Sequence, residues 1–158
     1  MSEKIQHSFQ VDSLPEQVWE FFWDVHAMAQ CVPGCEEVTT VEDNKTYQAR
    51  VRRKMGPFLI RMPLDITVVE STPPKLFRVR ISGKDKKLRS EVHQTVSVGL
   101  TGAPHDKTDV KIDIDITLSG LLATLGKNLV RTQITQTMDE FVYTLHDVLV
   151  KRSKGANR

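Results

Sequence analysis

Cys31 and Cys35 are the two cysteines of this 158-residue chain, and they stand four apart in CVPGCEEV, residues 31–38. Two thiols around Pro33-Gly34 offer a choice between a metal or redox site and a tight turn. A closed zinc site takes four nitrogen or sulfur ligands. Cys31, Cys35 and His26 supply at most three, and a helix would have to aim His26 back at the pair. A redox couple favours C-x-x-C beside a βαβ unit, and neither is present. The spacing therefore reads as small side chains packed into a turn, with no metal site. The five histidines, His7, His26, His93, His105 and His146, are scattered. No H-E-x-x-H, G-x-S-x-G, phosphate-binding loop or G-x-G-x-x-G occurs. Local sequence assembles no nucleophile, base and orienting group, so no catalytic residue is assigned. Such trios are often dispersed along a chain, which leaves enzymology open.

The alternating segments carry more information. Their inward faces are apolar almost throughout, and three polar residues break the pattern. His7 lies between Ile5 and Phe9. Arg53 follows Tyr47, Ala49 and Val51 and precedes Met55. Gln94 lies between Val92 and Val96. An unpaired charge in a core is costly, yet a pocket needs a few polar groups to orient a ligand. One reading has these residues meet a carbonyl or hydroxyl of an otherwise apolar ligand. The other has a bulge near a strand end, with Arg53 snorkelling to solvent. Methionines and aromatics can border the same space. The predicted ligand-lining set is Phe22, Met28, Tyr47, Arg53, Met55, Phe58, Met62, Val79, Gln94, Leu122, Leu129, Ile134 and Met138.

These residues need elements to hold them. Residues 4–11 alternate and read as a strand. In DSLPEQVWEFFWD, Ser13 and Glu16 fit a capping box, and Pro15 suits a first helical turn. Val18, Trp19, Phe22 and Trp23 then give a short amphipathic helix. Residues 25–32 read as a second one, stopped by Pro33-Gly34. Six further strands follow, over 36–42, 46–55, 58–70, 77–81, 92–98 and 110–118. Asp43-Asn44, Gly56-Pro57, Pro73-Pro74, a polar loop at 83–87 and residues 101–108 separate them. From 121 to 150 the apolar spacing turns helical, with Gly126 weakening the start. The class is α+β, a seven-stranded antiparallel sheet whose buried face the long helix covers. Residues 1–150 form one domain, and 151–158 are a polar basic tail expected to be disordered.

Composition narrows the setting. The chain is 39% hydrophobic and 27% charged with a net charge of +2, which implies no nucleic-acid partner. No apolar run approaches a membrane span, and MSEKIQHSF lacks the layout of a signal peptide. Two cysteines without an export signal point to the cytoplasm.

Three stretches resemble one family. VWEFFWDVHAMAQCVPGCEEV is similar to its first motif, a helix followed by Cys-hydrophobic-Pro-Gly-Cys-Glu. GPFLIRMPLDITVVESTPPKLFRVRISGKD is similar to its middle hairpin, and GLLATLGKNLVRTQITQTMDEF to its helix start. The family is that of the carbon monoxide dehydrogenase G-subunit, within the START and Bet v 1-like helix-grip superfamily. The resemblance implies a helix-grip fold, with a curved sheet wrapped around the long helix and two short helices after the first strand. It also implies a carrier of a lipophilic small molecule, with a quinone as the expected ligand and no covalent cofactor. The implied partner is a molybdenum hydroxylase of the carbon monoxide dehydrogenase type. The chain departs from many relatives in carrying KDKKLRSE at 84–91 where they are glycine-rich, and KRSKGANR where they have an apolar anchor. The superfamily's polyketide cyclases and dehydratases supply the alternative of an enzyme using the same cavity. A docking protein without ligand is a third reading.

Alternate hairpin turns of a meander share one end. The Gly56-Pro57 turn, the 84–87 loop and Gly120 therefore meet, placing Met55, Phe58, Leu121 and Leu122 beside Lys84, Lys86, Lys87 and Arg89. Apolar residues ringed by basic ones suit transient contact with an anionic membrane, at about 1 kcal/mol per basic side chain, at its cytoplasmic face. An ordinary solvated loop fits equally. On the outward face Arg50, Arg52, Lys54, Arg61, Arg78 and Arg80 gather on three strands, with Asp113 and Asp115 on the last. That pattern suits an acidic partner protein or a solvated face with cross-strand pairs.

Overall fold

Side chains alternate between two faces along a strand, and the segment Lys107–Ser119 displays the rule. Thr108, Val110, Ile112, Ile114, Ile116 and Leu118 are buried, while Asp109, Lys111, Asp115 and Thr117 face solvent. The computed structural model describes residues 1–156. In chain order the elements are β1 (Ser2–Val11), α1 (Pro15–Trp23), α2 (Val25–Cys31), β2 (Cys35–Glu42) and β3 (Thr46–Met55). They continue with β4 (Phe58–Thr72), β5 (Leu76–Asp85), β6 (Ser90–Ala103), β7 (Lys107–Ser119), a 3₁₀ turn (Gly120–Leu125) and α3 (Lys127–Ala156). The strands form one curved antiparallel sheet in the order β1-β7-β6-β5-β4-β3-β2. This is the predicted helix-grip architecture, with two short helices after the first strand and a long helix at the C-terminal side.

Local differences from the sequence reading have physical causes. The start of α1 is not a Ser13–Glu16 capping box. Leu14 is the N-cap, and its N–H donates to Gln17 Oε1 at 3.0 Å. Ser13 is instead drawn into the core, where its carbonyl accepts from Thr108 Oγ1 at 2.6 Å.

The strands β5 and β6 run longer than 77–81 and 92–98, and the polar loop contracts to a turn at 86–89. Asp85, only 4% exposed, accounts for this. Its Oδ2 accepts from the Arg61 N–H at 3.1 Å and its Oδ1 from the Leu88 N–H at 3.0 Å. The carboxylate thus extends the β4–β5 ladder and closes the turn. Ser90 continues the chain of contacts, donating to the Leu88 carbonyl at 2.8 Å and accepting from the Leu122 N–H at 3.0 Å. Gly120, at φ +75°, sits so close to the Arg89 carbonyl that a Cβ would lie 1.9 Å from its oxygen. Only glycine fits there.

The helix expected over 121–150 is divided at Gly126 into the 3₁₀ turn and α3. Helix α3 then continues through Ala156, where the sequence suggested a disordered tail from 151. Arg152 explains why the helix persists at its position, since it pairs with Asp24 and lies 5.2 Å over the Phe21 ring. Residues 157 and 158 of that tail lie outside the described residues.

Candidate functional site

The space between sheet and α3 is unevenly filled. The backbone of α3 approaches β1 and α2 most closely. Over β7 the concave face is fully covered by packed apolar side chains, Val110 through Leu118. Over β3–β5 the cover is partial. Val51, Met55, Phe58, Leu64 and Val79 are only half-buried there, whereas Ile60 and Met62 are closed off. Side chains bridge this side of the gap: Leu125 and Leu129 reach Gly56, and Arg53 reaches Glu140.

Of the predicted lining set, Met55, Phe58 and Val79 are half-buried on the inner face of the sheet and Met62 is buried there, while Ile134 and Met138 of α3 are half-buried against the core. Leu129 meets the Gly56 turn. Phe22 and Leu122 are buried in the main core, and Met28 of α2 is half-buried against it. Tyr47 is buried near the Asn44 turn, where its hydroxyl accepts from the Asn44 N–H at 2.9 Å.

The polar exceptions have identifiable surroundings. Arg53 Nη1 donates to the Pro33 carbonyl at 3.3 Å, and Nη2 lies 3.7 Å from Glu140 Oε2. Its side chain is 23% exposed, so it spans the margin of the gap from β3 to α3. Gln94 is half-buried between Ile81 of β5 and Ile116 of β7. His7 is half-buried opposite Ile112, with its ring 5.9 Å from that of Phe9.

The cysteine stretch is the turn from α2 into β2. Cys31 ends α2, 2% exposed, with its thiol 3.6 Å from the Ala27 carbonyl. Gly34, at φ +85°, accepts from the Arg52 N–H at 2.8 Å and starts the pairing of β2 with β3. Both thiols are free. Burial pushes each of them up from the ordinary thiol range, which disfavours the thiolate that metal binding or nucleophilic attack requires. Among the described residues no three His, Cys, Asp or Glu side chains gather as metal ligands would.

One aromatic group was only partly legible. Trp19 and Trp23 of α1 meet Phe77 of β5, with ring centroids 5.7 and 5.8 Å apart, and Phe22 lies between Phe77 and Phe141 of α3. The i, i+4 spacing of the tryptophans was the available signal. That Phe77 would join them depends on how α1 folds over β5.

Two concave surfaces lie outside the gap. One, of about 800 Å³, crosses the outer sheet face, with Arg78 and Arg80 at one side and Asp113 and Asp115 at the other. Arg78 is engaged there by Glu70 at 3.2 Å and Ser97 Oγ at 2.9 Å. The other, of about 490 Å³, lies between α2 and α3 and is bordered by Gln30, Pro33, Glu140 and Tyr143. The predicted lining residues border neither.

The three expected neighbours do share one end. Gly56 abuts Leu125 and Leu129, and Gly120 abuts Arg89. Leu59 and Leu121 are 50% and 45% exposed at that end. Lys84 pairs with Glu91 at 3.2 Å; His93 and Lys84 hold the Glu91 carboxyl below its usual range. Across β3 and β4, Arg52 stands directly opposite Arg61, a like-charge pairing that is unfavourable by itself.

A family model described as the carbon monoxide dehydrogenase G-subunit (CoxG) matches residues 8–150. No curated protein matches the chain. A conserved protein from Geobacillus kaustophilus is similar in structure, with a TM-score of 0.86 at 16% identity over 94% of this chain and 96% of that one. A START superfamily protein from Mycobacterium smegmatis gives 0.71 at 10% identity, covering 94% and 97%. The Zhui aromatase/cyclase from Streptomyces sp. R1128 gives 0.64 at 14% identity, covering 100% and 97%. At these identities the likeness concerns the fold. Among the described residues no helix is long and apolar enough to cross a membrane.

Proposed function

The chain belongs to the carbon monoxide dehydrogenase G-subunit (CoxG) family, and on that premise we propose that it carries a lipophilic small molecule, such as a quinone, between sheet and α3. It would do so as an accessory to a molybdenum hydroxylase of the carbon monoxide dehydrogenase type. The observation that carries the reading is the half-buried apolar wall of β3–β5, which Leu125 and Leu129 approach at Gly56 and Glu140 at Arg53. Fully packed cores close such faces, as β7 does in this chain. A partly covered apolar wall with few polar groups suits an apolar guest with a polar end.

The mouth in this reading is the Gly56–Gly120 end. Its exposed Leu59 and Leu121 lie among basic side chains and would touch an anionic membrane during ligand exchange. The Arg52–Arg61 pair supports a second contact on the outer face, because an acidic partner surface between two guanidiniums would offset their repulsion. The alternative of a cyclase-like enzyme calls for titratable groups free to act inside the gap. Arg53 is already engaged by Pro33 and Glu140, which favours the carrier.

The test is native mass spectrometry of protein purified from its source, followed by organic extraction and titration with a naphthoquinone. A bound lipophile or saturable quinone binding supports the reading. Empty protein that also ignores quinones overturns it.

A further inference from the structure

The outer face of the sheet carries charges of opposite sign on the two sides of β6. The strand registers put Arg80 of β5, Thr95 of β6 and Asp115 of β7 in one row, and Arg78, Ser97 and Asp113 in the next. Both arginines stand on one flank of β6 and both aspartates on the other, bordering the concave surface of about 800 Å³. Arg78 is held by Glu70 and Ser97, and Asp113 accepts from Gln6 at 2.8 Å. Arg80 and Asp115 are exposed. Neither has an ion-pair partner among the described residues. Between the flanks the side chains are small. Gly99 follows Ser97 on the same face of β6, with its register to Leu76 and Lys111 unbroken. A Cβ there would meet nothing within 4 Å, and its φ lies outside the left-handed region. Neither the backbone nor packing within the chain requires a glycine at this place. A glycine inside a strand otherwise marks a close approach of a ligand or of another backbone.

We propose that this face binds the same face of a second copy of the chain, about a two-fold axis running close to β6. A two-fold contact sets one patch against itself. An axis along β6 exchanges the flanks, so Arg80 of each copy lies over Asp115 of the other, and Arg78 over Asp113. Four opposite-charge pairs form, with Thr95, Ser97 and Gly99 near the axis. Shape follows charge. Long arginines on one flank meet short aspartates on the other, which suits the ~10 Å separation of packed sheets. Gly99 and the small Ser97 leave room along the axis. Packed sheets cross at about 30°, yet the two rows lie only ~7 Å apart and stay matched. The rows on either side add no like-charge pair across the flanks, since Lys111 comes over Leu76 and Thr117 over Ser82. A foreign partner would need this charge split by coincidence, whereas a second copy supplies it by symmetry. The face is polar, so the contact is reversible and weakened by salt. The proposal is independent of the carrier reading, because the inner face of the sheet takes no part in it.

Sedimentation velocity over a concentration series, at low and high salt, measures the association. The expected wild type is a dimer that dissociates as salt rises. Arg80→Asp and Asp115→Arg should each weaken it about tenfold, since an attractive pair becomes repulsive at two places. Mixing these two variants should restore a dimer, because both crossed pairs are again of opposite sign. Gly99→Gln should fold as the wild type does, with open space at its Cβ, and should block the dimer. Urea unfolding checks that each variant is folded. A wild type that stays monomeric up to ~1 mM leaves the face to solvent or to a different protein and overturns the proposal. A dimer indifferent to Arg80→Asp and Gly99→Gln uses another face, which overturns it equally. Should a charge variant fail to fold, Gly99→Gln and the salt dependence decide.

Discussion

Removing the Asp85 carboxylate should loosen the end of the sheet on which the proposed mouth depends. The side chain is 4% exposed and accepts from two backbone amides, Arg61 at 3.1 Å and Leu88 at 3.0 Å. Asp85→Ala deletes both bonds and leaves two amides to find water or go unpaired. Hydrogen bonds to a charged acceptor contribute about 1.5–3 kcal/mol each. Relief from burying the carboxylate offsets part of the sum. The expected net loss is roughly 2–4 kcal/mol, or about 5–15 °C in Tm for a domain of this size. Asp85→Asn, which keeps one acceptor oxygen, should fall between. Urea unfolding at neutral pH measures the loss, and hydrogen exchange locates it. The Arg61, Leu88 and Leu122 amides should lose protection together, because Ser90 links the turn to the 3₁₀ segment. A loss below about 1 kcal/mol, or unchanged protection at Leu122, would refute the idea that this carboxylate pins the turn.

Gly83→Ala places a Cβ 2.6 Å from Leu64 Cδ2, 2.8 Å from Met62 Sδ and 2.9 Å from the Pro63 carbonyl oxygen; the backbone contact cannot yield cheaply, so unfolding should show a loss of about 1–3 kcal/mol. The Arg152 guanidinium holds the Asp24 carboxyl below its usual range. A depressed carboxyl stabilises the fold above its unfolded value and loses that contribution as pH falls through the folded one. Wild type should therefore exceed Arg152→Met by up to about 1 kcal/mol near neutrality, with the gap closing below roughly pH 3; urea titrations across pH would detect a gap that stays open. Replacing Lys84, Lys86, Lys87 and Arg89 with Gln should abolish flotation with anionic liposomes, at roughly 1 kcal/mol per basic side chain. Lys84 should contribute least, being already paired with Glu91. Undiminished flotation would remove this end as the membrane contact.

Much of the fold was legible because its signals are local. Alternation along 107–119 needs no partner to be read, and Gly-Pro and Pro-Pro punctuate hairpins through their own backbone limits. The site was less legible. Arg53 could be assigned to the inward face by counting from Tyr47, but its engagement by Pro33 and Glu140 joins three distant segments. Asp85 looked like part of a solvated loop, because a lone acidic residue between lysines carries no mark of the amides it will meet. Ser13 looked like a cap until Thr108, 95 residues away, claimed its carbonyl. Trp23 sat on the apolar stripe of its helix, where an N–H without a partner among the described residues is invisible.

The division follows from where each force acts. Side-chain periodicity, turn chemistry and apolar content are properties of short windows. By themselves they determined an antiparallel sheet, two short helices and a long one, and the turn that CVPGCEEV makes. Which charges are paired, which face of the sheet stays partly open and which donor lacks an acceptor depend on contacts between segments far apart in the chain. Those were decided only when the curved sheet brought α1, β5 and α3 together.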